Sequence, residues 1–229
     1  MMAKKKITKK EFYPITLFPE LFDSFRSNSL MKRAIEQKLL SVSPINLRTF
    51  GEGKHKKCDD KPFAGGSGMV LMVDPIYKAV SKLKSKLKLR GKKHRVVLFS
   101  TRGTPFSSKE AKRLYSYDAI IFICGRYEGV DERVAEHIAD EEISMGDFVL
   151  SGGELPAMTS IEAVSRFIPG FLGKMETLEE IKGSFPTYTR PDKYKPKSAK
   201  KSWDVPEVLL SGNHAKIAQW RKLAGNGNT

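Results

Sequence analysis

Two glycine-rich segments, each placed directly after a strand-like apolar run, constrain the fold of this chain most. Residues 124–129 (CGRYEG) follow the apolar run Ala119–Ile123, and residues 144–154 (SMGDFVLSGGE) follow a short run around Ile143. Loops at the carboxyl ends of strands form the ligand crevice of an open α/β sheet, and glycine there lets a flat ligand approach bare backbone. The two segments therefore predict neighbouring loops of one binding site.

The best-understood nucleotide motifs do not occur in the sequence. Neither segment is a GxGxxG fingerprint, and no GxxxxGK[ST] phosphate loop is found in the 229 residues. An ordinary turn between a strand and a helix stays an open alternative for each loop taken alone. The pattern favours a ligand without phosphate groups.

Strand-like and helix-like segments alternate over most of the chain. Apolar runs typical of strands lie at residues 12–17, 43–47, 96–100, 119–124 and 148–150, and helical patterns lie at 21–40, 75–89, 108–115, 131–139 and 155–167. This alternation predicts an α/β fold with a mostly parallel sheet. We expect a first domain at residues 1–172, a charged, proline-containing flexible linker at 173–203, and a short helical region at 204–229.

The charge of the chain indicates an anionic partner. Lys and Arg outnumber Asp and Glu by 41 to 26, which gives a net charge of +15. The basic residues cluster at 4–10, 78–95 and 190–201. A solvated tail is the favoured interpretation of 4–10, and a solvated helix face is an equally open interpretation of 78–95. An anionic polymer or surface is implied, and phosphate contacts made by such a basic face would be independent of sequence and would weaken with salt.

Cysteine usage and hydropathy predict a cytoplasmic protein. Cys58 and Cys124 are far apart and lack a CxxC companion, so the sequence indicates neither a zinc site nor a disulfide framework. No apolar run approaches the roughly 20 residues that span a bilayer, and we expect no membrane association.

A long loop at residues 50–69 also draws interest, because loops of this length in compact domains are usually functional or disordered. It contains glycines on both sides of Ser67, in the run 64–69 (AGGSGM). These glycines suggest that the backbone closely approaches a flat group such as a base, while a flexible surface loop is an equally open interpretation.

Taken together, these segments resemble the bacterial tRNA (guanine-N1)-methyltransferases, which belong to the trefoil-knotted SPOUT superfamily. The motifs that carry the resemblance are residues 17–22 (LFPELF), 46–48 (NLR), 59–69, 124–133, 146–170, 188–191 (YTRP) and 208–214 (VLLSGNH). The resemblance implies a SPOUT-type, mostly parallel sheet with a deep C-terminal trefoil knot and a small helical C-terminal domain. Pattern alone would not propose a knot, because knots are nearly absent from protein folds.

The resemblance also implies an activity. Family members transfer a methyl group from S-adenosylmethionine to N1 of the guanosine just 3′ of the anticodon of tRNA. They work as homodimers, and a linker acid reaches the knot pocket most easily from the partner subunit, which places the active site at the subunit interface. No obligatory partner protein is inferred. Magnesium is used in the family, but the sequence shows no dedicated carboxylate cage and predicts no protein metal site.

The site residues implied by the resemblance fall into two sets. The methyl donor would lie bent among three knot loops, touching Leu98, Phe99, Ser100, Gly125, Tyr127, Glu128, Gly129, Ser144, Met145, Gly146, Phe148, Leu150, Gly152 and Gly153. The substrate-binding residues would be Asp59, Gly66, Ser67, Gly68, Met69 and Arg190.

Methylation of guanine at N1 needs a base near N1 and a hydrogen-bond donor near O6. Arg166 matches the family arginine expected at O6, with a helix-end arginine bound to a local carboxylate as the alternative. The family base is a linker aspartate, but residues 175–183 contain none, and Glu180 or Glu179 falls nearest. A solvated linker acid is the alternative there. Thr101 stands where the family has a proline in the first knot loop.

Two other functions stay open at this point. A related knotted enzyme could methylate a ribose oxygen or ribosomal RNA. A non-catalytic RNA-binding protein could keep the fold and the charge, which would fit the missing aspartate.

Overall fold

The computed structural model describes residues 9–172 and 184–225 of the chain. Contacts divide the chain into two compact units, unit 1 (residues 1–175) and unit 2 (residues 176–229). The strands of unit 1 are β1 (Lys10–Thr16), β2 (Leu40–Val42), β3 (Ile45–Asn46), β4 (Asp59–Asp60), β5 (Val70–Leu71), β6 (His94–Pro105), β7 (Ala119–Ile123) and β8 (Glu141–Ser144). Its α-helices are α1 (Phe22–Ser27), α2 (Ser29–Glu36), α3 (Val73–Leu89), α4 (Ser108–Leu114), α5 (Arg133–His137) and α6 (Glu154–Ser165).

The main sheet of unit 1 is parallel, with the strand order β2-β1-β7-β6-β8 and β3 paired beside β1. Side chains alternate between its two faces. On β7, Ile120 and Phe122 enter one buried cluster with α4 and α6, while Ile121 and Ile123 enter a second cluster with α3 and α5. Burial on both faces explains the continuous apolar run of β7. The expected α/β fold with a mostly parallel sheet is confirmed.

Some predicted elements differ from the structure. The helical pattern at 21–40 is divided at Asn28, whose extended backbone (φ −124°, ψ 155°) separates α1 from α2, and Leu40 begins β2. The predicted strand at 148–150 is wrong, because these residues form a loop with exposed apolar side chains. An apolar run of three residues carries no information on whether a neighbouring strand pairs with it.

A bulge in β6 and the path after β8 bring three loops to the same edge of the sheet. Phe99 and Thr104 of β6 both pair with Ile143, so the four residues between them bulge out of the ladder. After β8 the chain crosses back to the end of β7, where the Gly153 N–H donates to the Gly125 carbonyl at 3.0 Å. A Cβ on Gly153 would lie 2.6 Å from the Cys124 Cα, so this crossing needs glycine.

Unit 2 contains the antiparallel strands β9 (Lys193–Tyr194) and β10 (Trp203–Asp204), followed by α7 (Glu207–Leu210) and α8 (His214–Gly225). The rings of Tyr194 and Trp203 are 5.8 Å apart, and those of Tyr188 and Trp220 are 6.3 Å apart. The β9–β10 ribbon thus lies within and at the end of the segment predicted as a linker. The division into a domain at 1–172, a linker at 173–203 and a region at 204–229 stays a prediction. No helix within the described ranges is long and apolar enough to cross a membrane.

Candidate functional site

A cleft of about 440 Å³ opens at the carboxyl edge of the main sheet. Three segments form it: the first loop (residues 98–104), the second loop (124–132) and the third loop (144–153). The volume lies within the roughly 300–1,000 Å³ of small-molecule sites, and the carboxyl edge of a parallel sheet is where such sites are expected.

The structure places nearly all of the predicted donor-binding residues on the wall of this cleft. They are Leu98, Phe99, Ser100, Gly125, Tyr127, Glu128, Gly129, Ser144, Met145, Phe148, Leu150, Gly152 and Gly153. Gly146 is not part of the wall. Its φ is +148°, and a Cβ there would lie 2.6 Å from the Phe148 ring, so this glycine shapes the turn of the third loop.

The second loop is held in place by the strand β5. The Glu128 N–H donates to the Met69 carbonyl (3.1 Å), and the Leu71 N–H donates to the Gly129 carbonyl (3.0 Å). A Cβ on Gly68 would lie 2.5 Å from a carboxylate oxygen of Glu128. The glycine-rich loop predicted to contact a base therefore lies directly beside the loop predicted to contact the donor.

The other predicted substrate-binding residues lie in two places. Asp59 belongs to β4 and pairs with Leu71 of β5, while Gly66 and Ser67 form part of the exposed turn that precedes Gly68. Arg190 belongs to unit 2, where it lines a separate cleft of about 350 Å³.

A buried ion pair, here called the Arg126–Glu154 pair, joins the second loop to the start of α6. The Arg126 Nε lies 2.9 Å from the Glu154 Oε2, and Glu154 is only 2% exposed. The other carboxylate oxygen accepts a hydrogen bond from the Thr16 hydroxyl at 2.5 Å. The Arg126 guanidinium also stacks 4.8 Å from the centre of the Phe18 ring. Through these contacts, Thr16, just before the LFPELF motif, and Phe18, within it, hold the Arg126–Glu154 pair in place next to the cleft.

A second group of charges lies at the mouth of the cleft. Arg102 of the first loop donates two hydrogen bonds to Glu132 (2.7 and 2.9 Å) and lies 3.8 Å from Glu142. The hydrogen bond to Glu132, followed by the charges of Glu132 and Glu142, raises the pKa of Arg102. The sequence analysis missed these three residues and Arg126. A charged residue next to a glycine loop has the same sequence pattern whether it faces solvent or a ligand.

Exposed apolar side chains surround the cleft. This apolar rim consists of Tyr127, Phe148, Val149 and Leu150 of the cleft wall, together with Leu155 at the start of α6. Val149 is 85% exposed, and a contiguous group of exposed apolar side chains is typical of an interaction surface.

Arg166 does not reach the cleft of its own chain. It caps the C-terminal end of α6, whereas Gly153 and Pro156 at the N-terminal end line the cleft, about 20 Å away along the helix axis. Its partly buried side chain makes no hydrogen bond or ion pair with any described residue. The alternative of a carboxylate-bound arginine finds no support in these ranges. Glu179 and Glu180 lie outside the described residues.

The state of the Cys124 thiol and the capacity to bind a metal ion both bear on the chemistry of the site. Burial raises the pKa of the Cys124 thiol, at the start of the second loop, well above its ordinary value. Within residues 9–172 and 184–225, no cluster of three His, Cys, Asp or Glu side chains could hold a metal ion.

Comparison with known proteins identifies the family. The family model described as tRNA (Guanine-1)-methyltransferase TrmD matches residues 11–229. Proteins named tRNA (guanine-N(1)-)-methyltransferase from Staphylococcus haemolyticus and Staphylococcus epidermidis are 45% and 46% identical to the chain over 212 residues, covering 90% of this chain and 82% of each relative.

A solved structure agrees with these relatives. The crystal structure of tRNA (m1G37) methyltransferase from Aquifex aeolicus is 39% identical, with a TM-score of 0.74 over 93% of this chain and 87% of that one. The expected fold class, a SPOUT-type parallel sheet with a C-terminal trefoil knot, is confirmed. The chain therefore belongs to the tRNA (guanine-1)-methyltransferase family.

Proposed function

We propose that this tRNA methyltransferase moves a methyl group from S-adenosylmethionine to N1 of the guanosine just 3′ of the anticodon. The observation that carries the proposal is the cleft where the three loops meet, with the glycine-rich loop at residues 64–69 beside it. The three loops of the cleft can hold the donor while the neighbouring loop at residues 64–69 holds the guanine base. Because tRNA is the substrate, we further propose that the enzyme works in the cytoplasm.

The cleft suits the donor chemically. When bound, S-adenosylmethionine supplies a methyl group on a sulfonium that needs alignment rather than activation. Glycines at Gly125 and Gly153 leave backbone open to a flat adenine, and apolar side chains such as Leu98 and Leu150 can cover its faces. Glu128 adds a negative charge that can offset the positive charges of the donor.

The chain must also assist the guanine. Arg166 carries guanidinium N–H groups that can donate to O6 and hold the negative charge that develops as N1 loses its proton. Glu180 or Glu179 would accept that proton. Each type of assistance is typically worth about 10²–10⁴-fold in rate.

Two observations support a homodimer with the active site at the subunit interface. Arg166 lies about 20 Å along α6 from its own cleft, so an arginine at O6 is most simply supplied by a second copy. The apolar rim gives that copy a hydrophobic surface to cover next to the cleft.

Capture of tRNA would rest on the positive charge of the chain. Unit 2 carries Arg190 beside the aromatic residues Tyr188 and Trp220, a combination that suits phosphate contact and base stacking. The lysines between 193 and 201 extend this basic surface. Any magnesium ion would be shared with RNA or substrate.

Methyl transfer to a tRNA transcript tests the activity. We expect incorporation that disappears when the guanosine 3′ of the anticodon is replaced by adenosine, with mass spectrometry placing the methyl group on N1. Equal incorporation into both transcripts would contradict the stated specificity, and methyl on a ribose oxygen would favour the related knotted enzymes.

Mixed dimers test the shared site. Arg166→Ala and Gly153→Val subunits should each be inactive alone, and mixing them should restore activity, because one cleft of the mixed dimer has both intact halves. Arg26→Ala serves as the matched control and should keep full activity, because this partly exposed helix arginine forms its ion pair among the described residues with Asp23, three positions before it. Dimers that mix without recovering activity would contradict the interface site. Separate Glu179→Gln and Glu180→Gln variants, assayed in single turnover, identify the base.

A further inference from the structure

The mouth of the donor cleft carries an arrangement of charges that the proposed reaction does not use. Among the described residues, the cleft wall includes two cationic side chains, Arg102 and Arg126. They differ in how firmly each is held. Arg126 neutralises the buried Glu154 and stacks on Phe18, so its removal from that place would leave a buried carboxylate unpaired.

Arg102 is free to change partners. About 63% of its side chain and 56% of that of Glu132 are exposed, and exposed ion pairs of this kind contribute little. Its backbone, in contrast, is fixed, because the bulge of β6 wedges Gly103 against the Ile143 backbone and the Arg102 N–H donates to the Ser100 hydroxyl at 3.2 Å. The guanidinium is therefore held over the cleft with an exchangeable partner.

Glu142 supplies a second, independent observation. Its Oε2 atom is buried on the cleft wall and has no hydrogen-bond partner among the described residues, since the nearest Arg102 nitrogen is 3.8 Å away. Buried carboxylate oxygens in native proteins are almost always hydrogen-bonded. An oxygen left in this state beside a ligand cleft calls for a donor from the ligand.

We propose that Arg102 and Glu142 form a subsite for an α-amino-acid head group, in which Arg102 binds the carboxylate and Glu142 accepts from the ammonium. The subsite rests on the proposed donor site, because the head group belongs to the methionine part of S-adenosylmethionine. Arg102 leaves Glu132 when the carboxylate arrives, so Glu132 competes with the ligand. A guanidinium next to a carboxylate is the complement of a zwitterion.

Two nucleosides that differ in the head group test this assignment by calorimetry. S-adenosylhomocysteine carries the amino-acid group, and 5′-deoxy-5′-methylthioadenosine lacks it, while both have a neutral sulfur. We expect Arg102→Gln and Glu142→Gln each to weaken S-adenosylhomocysteine by about tenfold or more, the size of one charge-assisted hydrogen bond, and to change methylthioadenosine by less than about twofold.

Glu132→Gln is the matched control, and its effect on the affinity for S-adenosylhomocysteine should be opposite to that of Arg102→Gln. Removal of the competing carboxylate should strengthen S-adenosylhomocysteine severalfold and leave methylthioadenosine unchanged. Equal losses for both nucleosides, or no loss for either, in the Arg102→Gln protein would overturn the head-group assignment while the donor site stands. Failure of the unaltered protein to bind either nucleoside would overturn the donor site itself and this subsite with it.

Discussion

Replacement of Arg126 by methionine should destabilise unit 1 strongly, because it leaves the charge of Glu154 buried without its partner. Breaking a buried ion pair from one side typically costs about 3–5 kcal/mol. The hydrogen bond from Thr16 remains and a fifth of the Arg126 side chain is exposed, so water can relieve part of the penalty. We therefore expect the lower end, about 3 kcal/mol.

The double variant Arg126→Met, Glu154→Gln separates the unpaired charge from lost packing. Glutamine keeps an acceptor for the Thr16 hydroxyl and carries no charge, so the double variant should recover at least half of the loss. The coupling free energy of the two sites should exceed about 1 kcal/mol, as for contacting residues in one network.

The unfolding signal must come from unit 1. Both tryptophans of the chain, Trp203 and Trp220, belong to unit 2, so fluorescence would follow the wrong part of the molecule. Far-UV circular dichroism in urea follows the helices and the main sheet instead. A single variant destabilised by less than about 1 kcal/mol, or a double variant no more stable than the single one, would refute the reasoning.

Three other predictions concern the same unit. Burial alone raises the pKa of Glu11, but hydrogen bonds from Arg90 and Tyr13 and the charges of Lys92 and Arg90 lower it overall. The stabilisation is therefore present above the unfolded pKa and is lost as pH falls through the lower, folded pKa. Glu11→Gln should therefore flatten the acid limb of the urea midpoint plotted against pH, and an unchanged slope would contradict this. Because Cys124 is buried, and because that burial also raises its pKa, its thiol should react with Ellman's reagent only at the rate of unfolding. Rapid labelling of Cys124 in the native protein would show that it is accessible. Gly153→Ala should lose about 1–3 kcal/mol and most donor binding, because its Cβ would clash with the Cys124 backbone after β7. Gly125→Ala should keep most of its stability, since among the described residues its Cβ would meet only Val130, at 3.5 Å. Equal stability of the two variants would argue against the close crossing.

The sequence was most informative where local chemistry decides the structure. The strand β7 was predicted to within one residue, because five consecutive apolar residues followed by glycine suit a strand buried on both faces. The glycine loops could also be located from the sequence, because a close crossing such as that of Gly153 over Cys124 leaves no room for a Cβ.

Contacts between distant parts of the chain were beyond sequence reasoning. Glu154 meets the hydroxyl of Thr16 from 138 residues away, and no local pattern marks either residue as a partner. The bulge that turns Arg102 over the cleft follows from the pairing of β6 with β8, which depends on register rather than on composition.

The proposed sharing of the active site between two copies could not be derived from the sequence for a different reason. A helix pattern predicts α6, but the separation of Arg166 from its own cleft becomes evident only when the ends of that helix are placed. The knot was predicted from the family resemblance alone, because hydrophobic periodicity carries no information on how the chain is threaded.

A crystal structure with S-adenosylhomocysteine and an anticodon stem-loop RNA would test the central claim most directly. The account predicts the nucleoside between the first, second and third loops, with the guanine beside it and Arg166 of a second copy at O6. A nucleoside bound elsewhere, or loops that stay empty at saturating ligand, would contradict it.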